Sequence, residues 1–165
     1  MIILVLGGTR SGKSEAAEAL AAGLGGPVTY VATGRAVDED MAARIAAHRA
    51  RRPAGWATLE AGKDLPDLLR DLAGPVLVDS LGTWVAGHDD LAPGIAPLCA
   101  ALRERPGDTV VVSEEVGLGV HPPTEAGRRF ADVLGTLNRA VADLADRVLL
   151  VVAGRVLPLE RAEGA

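Results

Sequence analysis

Residues 7–14 have the types and the spacing of a loop that binds phosphate groups. Gly7 and Gly12 enclose four residues, and Lys13 and Ser14 follow directly. In such a loop the glycines let backbone N–H groups approach phosphate oxygens, the lysine reaches the β- and γ-phosphates, and the serine hydroxyl can bind Mg²⁺. The alternative is a glycine-rich turn that binds nothing. Lys13 argues against it, because arginine supplies nearly all of the 17 basic residues and lysine stands where a compact point charge is needed.

Carboxylates that follow apolar runs could complete the chemistry. Asp79 ends one run and stands where a phosphate-loop enzyme presents an acid that binds Mg²⁺ directly or through water. Its simpler interpretation is a strand-end residue that caps a turn. Glu114 and Glu115 end another run, and neighbouring side chains of a strand point to opposite sides. Either glutamate could act as a base for a substrate hydroxyl, and either could be a solvated surface charge.

His48 is the histidine whose surroundings suggest chemistry. It lies on the apolar stripe of a predicted helix, where a purely structural histidine is one interpretation. Arg49, Arg51 and Arg52 follow it closely. Guanidinium groups beside an imidazole can meet a phosphate and keep the ring neutral and nucleophilic, which is the second interpretation. The chain's histidines lack metal-ligand spacing, so no zinc site is predicted.

Strand-type and helix-type segments alternate along the chain, and the strand candidates contain few polar residues. Both features are typical of a parallel sheet with right-handed crossovers and helices on both faces. Ligands of such sheets bind at the carboxyl ends of the strands. The predicted strands are 2–6, 28–32, 76–78, 109–112 and 148–152, with 156–159 as an edge strand and 56–59 as a weaker candidate. The predicted helices are 14–23, 38–51, 64–72, 94–104 and 124–145.

Length and charge restrict the function classes. The 165 residues suit one domain with a well-formed core, so we predict a single P-loop nucleotide-binding catalytic domain over 1–165. A net charge of −5 offers no broad basic surface, and nucleic acid is not an expected partner. Neither a signal peptide nor an apolar stretch long enough for a membrane span is visible. We therefore expect a cytoplasmic protein without a membrane partner.

Several groups of residues, taken in order along nearly the whole chain, resemble one family. The groups are 7–14; 30–33 with 40–45, His48, Arg52-Pro53, Trp56 and Glu60; 78–84; and 112–120 with Pro122, Arg129-Phe130, Gly135, Leu137-Asn138 and 150–154. The chain resembles the bifunctional adenosylcobinamide kinase/adenosylcobinamide-phosphate guanylyltransferase family of cobalamin biosynthesis. The phosphate loop is common to many families, whereas the segment from His48 to Glu60 is specific.

The resemblance implies an α/β fold with a RecA-like, mostly parallel sheet flanked by helices, assembled as a homotrimer. It implies two reactions at one site. A nucleoside triphosphate, ATP or GTP, phosphorylates the aminopropanol hydroxyl of adenosylcobinamide. GTP then guanylylates a histidine, and adenosylcobinamide phosphate takes the GMP to give adenosylcobinamide-GDP.

The motif and the resemblance together assign roles to named residues. Catalysis falls to His48 and Lys13, and Mg²⁺ to Ser14 and Asp79. Nucleotide contacts are assigned to Gly7, Gly8, Thr9, Arg10, Ser11, Gly12, Lys13, Ser14, Ala32, Thr33, Gly34, Arg49, Ala50, Arg51, Arg52, Glu60 and Asp79. Two other functions stay open at this point: a P-loop small-molecule kinase without guanylyltransferase activity, and a non-catalytic nucleotide-dependent switch module.

Overall fold

The structure, a computed structural model, describes residues 1–34, 39, 46, 49–50 and 52–162. The strands are β1 (Ile2–Gly7), β2 (Thr29–Ala32), β3 (Ala57–Glu60), β4 (Val76–Asp79), β5 (Thr109–Glu114), β6 (Arg147–Val152) and β7 (Arg155–Leu159). The helices with described bounds are α1 (Lys13–Ala22), α2 (Leu65–Asp71), α3 (Leu81–Ala86), α4 (Ile95–Glu104) and α5 (Glu125–Ala142). Among these residues, no helix is both long enough and apolar enough to span a bilayer.

The strands form one seven-stranded sheet with the order β3-β2-β4-β5-β1-β6-β7. All neighbouring pairs are parallel except β6 and β7, which are antiparallel and joined by a tight turn. The predicted α/β fold with a mostly parallel sheet flanked by helices is therefore confirmed. Each predicted strand is present, including the weaker candidate at 56–59, with bounds that differ by two residues at most.

Side chains of the central strands alternate between two apolar layers. Ile3 and Val5 of β1 belong to the layer that contains α1, whereas Leu4 and Leu6 belong to the layer on the opposite face, under α2–α5. This alternation follows from the period of two in a β-strand. The part of α1 that is fully buried consists of alanines, so the helix that follows the phosphate loop packs closely on the sheet.

Among the α-helices with described bounds, α3 is the one that the sequence did not predict. Its six residues include Gly82 and Thr83, which are poor helix formers. Ser80 compensates at the N-terminus, because its side chain and that of Thr83 form a reciprocal capping box. Trp84 then fixes the helix, since its ring is buried and its Nε1 donates to the Lys63 carbonyl oxygen. The predicted helix at 38–51 falls largely outside the described residues.

Arg105 connects the loops before β4 and β5, at the end of the sheet opposite the phosphate loop. Its side chain is only 6% exposed, and its guanidinium donates to the carbonyl oxygens of Gly74, Gly107 and Asp108 and to Thr109 Oγ1. Burial lowers the pKa of Arg105 from its usual value. The carbonyl groups of two loops are thus satisfied by one buried cation, which holds the start of β5 against the loop before β4.

Candidate active site

The loop between β1 and α1 has the folded form that phosphate binding requires. The Ser11 N–H donates to the Gly8 carbonyl oxygen at 3.3 Å, and the Lys13 N–H donates to Ser11 Oγ at 3.3 Å. Gly12 has a φ of 91°, in the left-handed region that favours glycine. A side chain on Gly7 would overlap Ser11 Oγ. Both glycines of the motif are therefore required by the backbone, and the N-terminus of α1 faces the loop.

Backbone hydrogen bonds from two neighbouring segments hold the phosphate loop in place. The N–H of Gly154, in the turn between β6 and β7, donates to the Ser11 carbonyl oxygen at 2.8 Å. On the other side, the Glu115 N–H donates to the Gly7 carbonyl oxygen at 3.1 Å. The loop is thus held in shape by backbone contacts with the end of β5 and with the turn between β6 and β7.

Lys13 and Glu114 form a charged pair beside the loop. Lys13 Nζ donates to the Gly8 carbonyl oxygen at 3.3 Å and lies 3.7 Å from Glu114 Oε1, and the two side chains are 13% and 27% exposed. Glu114 reaches this position because β5 lies next to β1 with Glu114 opposite Gly7. The pair therefore lies at the carboxyl edge of the sheet, where ligands of parallel sheets bind.

Hydrogen bonds fix the orientation of the Glu114 carboxylate. Ser80 Oγ donates to its oxygens at 2.9 and 3.1 Å, and the Gly82 N–H donates to Oε2 at 3.0 Å. A side chain on Gly82 would overlap this carboxylate. Asn138 of α5 supports the strand end, because its Nδ2 donates to the Glu114 carbonyl oxygen at 3.0 Å. In contrast, the Glu115 carboxylate accepts from a neighbouring loop N–H and takes no part in this arrangement among the described residues.

Hydroxyl groups join the ends of β2 and β4 to the start of α3. Thr33 Oγ1 donates to the Ser80 carbonyl oxygen at 2.6 Å and accepts from the Ser80 N–H at 2.9 Å. Thr33 and Thr83 also share a hydrogen bond between their hydroxyls at 2.6 Å. Because Ser80 in turn holds Glu114, these hydroxyls connect β2, one of the predicted nucleotide segments, to the carboxylate beside the phosphate loop.

Asp79 ends β4 on the same face of the sheet as α1. Its Oδ2 accepts a hydrogen bond of 2.9 Å from the hydroxyl of Tyr30, a buried residue of β2. The guanidinium carbon of Arg52 lies 3.2 Å from the centre of the Tyr30 ring. Burial, together with the negative charge of Asp79, raises the pKa of Tyr30 well above its usual value.

The remaining predicted site residues are distributed as follows. Ala32, Thr33 and Gly34 occupy the end of β2 and the positions just after it, and Glu60 ends β3 directly opposite Ala32 with an exposed side chain. Thr9, Arg10, Arg49 and Ala50 are exposed, and Ser14 lies in the first turn of α1. His48 and Arg51 lie outside the described residues.

Sequence reasoning missed the residues that support the acids. Tyr30, Ser80, Gly82 and Thr83 lie in segments that carry the family resemblance, but the sequence assigned them no role, because their roles come from contacts between different elements of the fold. One signal was available: a serine followed three residues later by a side chain that can return a hydrogen bond is typical of a helix start. That signal at Ser80 and Thr83 would have predicted α3.

The donor groups at this edge suit Mg²⁺. The Ser14 hydroxyl and the Asp79 carboxylate are oxygen ligands, the type that Mg²⁺ prefers. Mg²⁺ in nucleotide sites takes its other ligands from phosphate oxygens and water, so one hydroxyl and one acid are an adequate protein contribution. The residues present therefore fit the ion that the motif implies.

The parallel sheet, the glycine-bounded loop before α1 and the enclosed lysine define a P-loop nucleotide-binding protein. The family model described as cobinamide kinase / cobinamide phosphate guanyltransferase matches residues 3–159. The chain belongs to this family.

Relatives named as bifunctional adenosylcobalamin biosynthesis proteins match nearly end to end. The CobP protein of Pseudomonas aeruginosa is 46% identical over 166 residues, with 95% of this chain and 96% of that protein covered. The CobU proteins of Salmonella typhimurium and Escherichia coli are 39% and 38% identical, and each alignment covers 93% of this chain and 97% of the relative.

The fold is also similar to that of an ATPase from the type III secretion system of pathogenic bacteria. The TM-score is 0.56 at 11% identity, with 90% of this chain covered, and this chain spans half of that longer one. This likeness shows the fold alone, and it agrees with the predicted RecA-like sheet.

Proposed function

We propose that this chain phosphorylates adenosylcobinamide with ATP or GTP and then transfers GMP from GTP to adenosylcobinamide phosphate. The observation that carries the proposal is the family match over residues 3–159. The folded phosphate loop and the Lys13–Glu114 pair support it, because they supply a triphosphate cradle with an acid beside it.

In the phosphorylation step, Lys13 and the loop N–H groups bind and orient the triphosphate. The hydroxyl oxygen of the aminopropanol arm forms a bond to the γ-phosphorus, and the bond from that phosphorus to the β–γ bridging oxygen breaks. The nucleoside diphosphate leaves with the bonding electron pair. Of the two candidate bases we favour Glu114 as acceptor of the hydroxyl proton, because its carboxylate is held beside Lys13.

In the guanylyl transfer, His48 attacks the α-phosphorus of GTP and pyrophosphate leaves. A phosphate oxygen of adenosylcobinamide phosphate then attacks the same phosphorus, adenosylcobinamide-GDP forms, and the imidazole is released. The family resemblance and the adjacent arginines support this role for His48. Guanine-nucleotide contacts are assigned on the same basis to 32–34, 49–52, Glu60 and Asp79.

Mg²⁺ would be held by Ser14 and Asp79 together with the phosphates. When bound, the ion neutralises charge on the phosphate oxygens. The chain's own residues fix where the phosphates lie, because the loop is fastened by backbone contacts to the end of β5 and to the turn between β6 and β7. A homotrimer, a cytoplasmic location and a single catalytic domain over 1–165 stay predictions, and sedimentation equilibrium would test the first.

Covalent labelling tests the transferase half of the proposal. The protein is incubated with GTP labelled at the α-phosphate, denatured, and assayed for label that is acid-labile and base-stable, the behaviour of a phosphorus–nitrogen bond. We expect label on the wild type and none on His48→Ala. His121→Ala is the matched control, because His121 is exposed, and it should be labelled like the wild type. Undiminished label on His48→Ala would overturn the assignment.

A second variant tests whether one loop serves both reactions. Lys13→Ala should impair phosphorylation of cobinamide and guanylylation of the protein alike, since both need the same triphosphate cradle. Loss of the kinase with normal labelling would argue for two separate sites. A wild type that consumes triphosphate in the presence of cobinamide but is never labelled would favour a kinase without transferase activity.

A further inference from the structure

Tyr30 connects the end of β4 to the inside of the fold. It is 4% exposed and lies opposite Leu77 in the parallel pair of β2 with β4. Asp79 follows Leu77 by two residues and therefore points to the same face of the sheet. The Tyr30 ring leans toward this strand end, and its hydroxyl donates to Asp79 Oδ2 at 2.9 Å.

Arg52 packs against the face of the Tyr30 ring. Its guanidinium carbon lies 3.2 Å from the ring centre of Tyr30, and its Nη1 donates to Thr58 Oγ1 of β3 at 3.2 Å. A guanidinium on an aromatic face is an attractive arrangement, and the Tyr30 side chain beneath it is buried. A hydrogen bond to a charged acceptor is stronger where water is excluded.

The Tyr30 side chain is well placed to hold the Asp79 carboxylate, because it is buried and its ring packs against the Arg52 guanidinium. The Tyr30 hydroxyl therefore holds one Asp79 oxygen, Oδ2, at a defined position.

We infer that Tyr30 is a positioning residue: its hydroxyl orients the Asp79 carboxylate for the Mg²⁺–nucleotide complex. This inference rests on the proposed role of Asp79 on the metal side of the site. Tyr30 does not touch the nucleotide in this scheme and acts through Asp79 alone. Orientation of the acid should matter for the metal-bound nucleotide and not for the metal-free one.

The test is the affinity for GTP with and without the ion, measured by titration calorimetry in excess Mg²⁺ and in EDTA. The ratio of the two dissociation constants is the readout. Tyr30→Phe removes only the hydroxyl, and we expect the strengthening by Mg²⁺ to fall about tenfold, the effect of one hydrogen bond to a charged group. Binding in EDTA should change little.

Two further variants separate the possible results. Thr109→Val removes a buried hydrogen bond at the opposite edge of the sheet, so it controls for general loss of stability and should leave the ratio unchanged. Asp79→Asn should lower the ratio at least as much as Tyr30→Phe. If the ratio of dissociation constants is normal for Tyr30→Phe but lowered for Asp79→Asn, the positioning role of Tyr30 is wrong while the metal role of Asp79 stands. Normal ratios for both would overturn the metal role of Asp79 as well.

Discussion

Replacing Glu114 by glutamine should strengthen the binding of metal-free nucleotide while it slows phosphoryl transfer. The carboxylate lies 3.7 Å from Lys13 Nζ, the group that we propose binds the phosphates. In the absence of nucleotide it is therefore a competing partner for the lysine, and in the complex it is a negative charge near other negative charges. Glutamine keeps the shape and can still accept from the Gly82 N–H.

The size of the effect follows from the geometry. Two unit charges 3.7 Å apart attract by roughly 4.5 kcal/mol at an effective dielectric constant of about 20. Desolvation offsets much of this, because both groups are largely enclosed, and a net of about 1–2 kcal/mol remains. The affinity for GTP in EDTA should therefore rise roughly 5- to 30-fold. Loss of a general base should lower kcat for cobinamide phosphorylation by about 10²- to 10⁴-fold.

Calorimetry in EDTA gives the first quantity, and steady-state kinetics with saturating Mg²⁺ and nucleotide give the second. Glu115→Gln is the matched control, since the adjacent side chain accepts from the Gly117 N–H and a glutamine oxygen can do the same. It should leave both quantities within about twofold of the wild type, a change at the level of surface substitutions. Unchanged affinity for Glu114→Gln would refute the competition, and unchanged kcat would refute the role as base.

Other substitutions separate activity from stability. Gly82→Ala places a methyl group where the Glu114 carboxylate lies, so we expect kinase activity to fall as for Glu114→Gln while the melting temperature changes little, because the carboxylate can swing away. Wild-type kinase activity in Gly82→Ala would contradict this expectation. Arg105→Met should lower the free energy of unfolding by about 3 kcal/mol in urea, since buried carbonyls lose their donor, whereas exposed Arg103→Met should not. Burial raises the pKa of Cys99, so this single thiol should react more slowly near pH 8 than the same thiol in urea, and equal alkylation rates would contradict the burial.

The centre of the sheet could be predicted because β1, β4 and β5 follow the simplest sequence rule. Strands buried on both faces appear as continuous apolar runs, and the glycine-bounded loop marked the end of β1 without ambiguity. Helix α3 could not be found from periodicity, because six residues do not complete two turns and Gly82 weakens the propensity. It exists because Ser80 caps it, which is a local interaction, and because buried Trp84 anchors it, which is a tertiary contact.

For the acidic residues of the site, the sequence predicted what depends on the local chain and not what depends on contacts between strands. Their positions at strand ends were predictable, and so was the opposite direction of the adjacent pair Glu114 and Glu115. The sequence could not predict which of these two glutamates lies beside Lys13, because that depends on the register of β5 against β1. The role of Ser80 could not be predicted either, because its hydroxyl contacts Glu114 of β5 and its backbone contacts Thr33 after β2.

Asp79 and Ser80 together explain how the acids of this site are held in relation to each other. Asp79 is fixed from β2 by the Tyr30 hydroxyl, and the next residue, Ser80, fixes Glu114 on β5. Both acids therefore depend on the end of a single strand, β4, which lies between β2 and β5 in the sheet. The Thr33 hydroxyl donates to the Ser80 carbonyl oxygen at 2.6 Å and accepts from the Ser80 N–H at 2.9 Å, directly after that strand end. A displacement of β4 relative to β2 would disturb the hydrogen bonds of both carboxylates, so Thr33 helps to keep both acids in place by holding the Ser80 backbone.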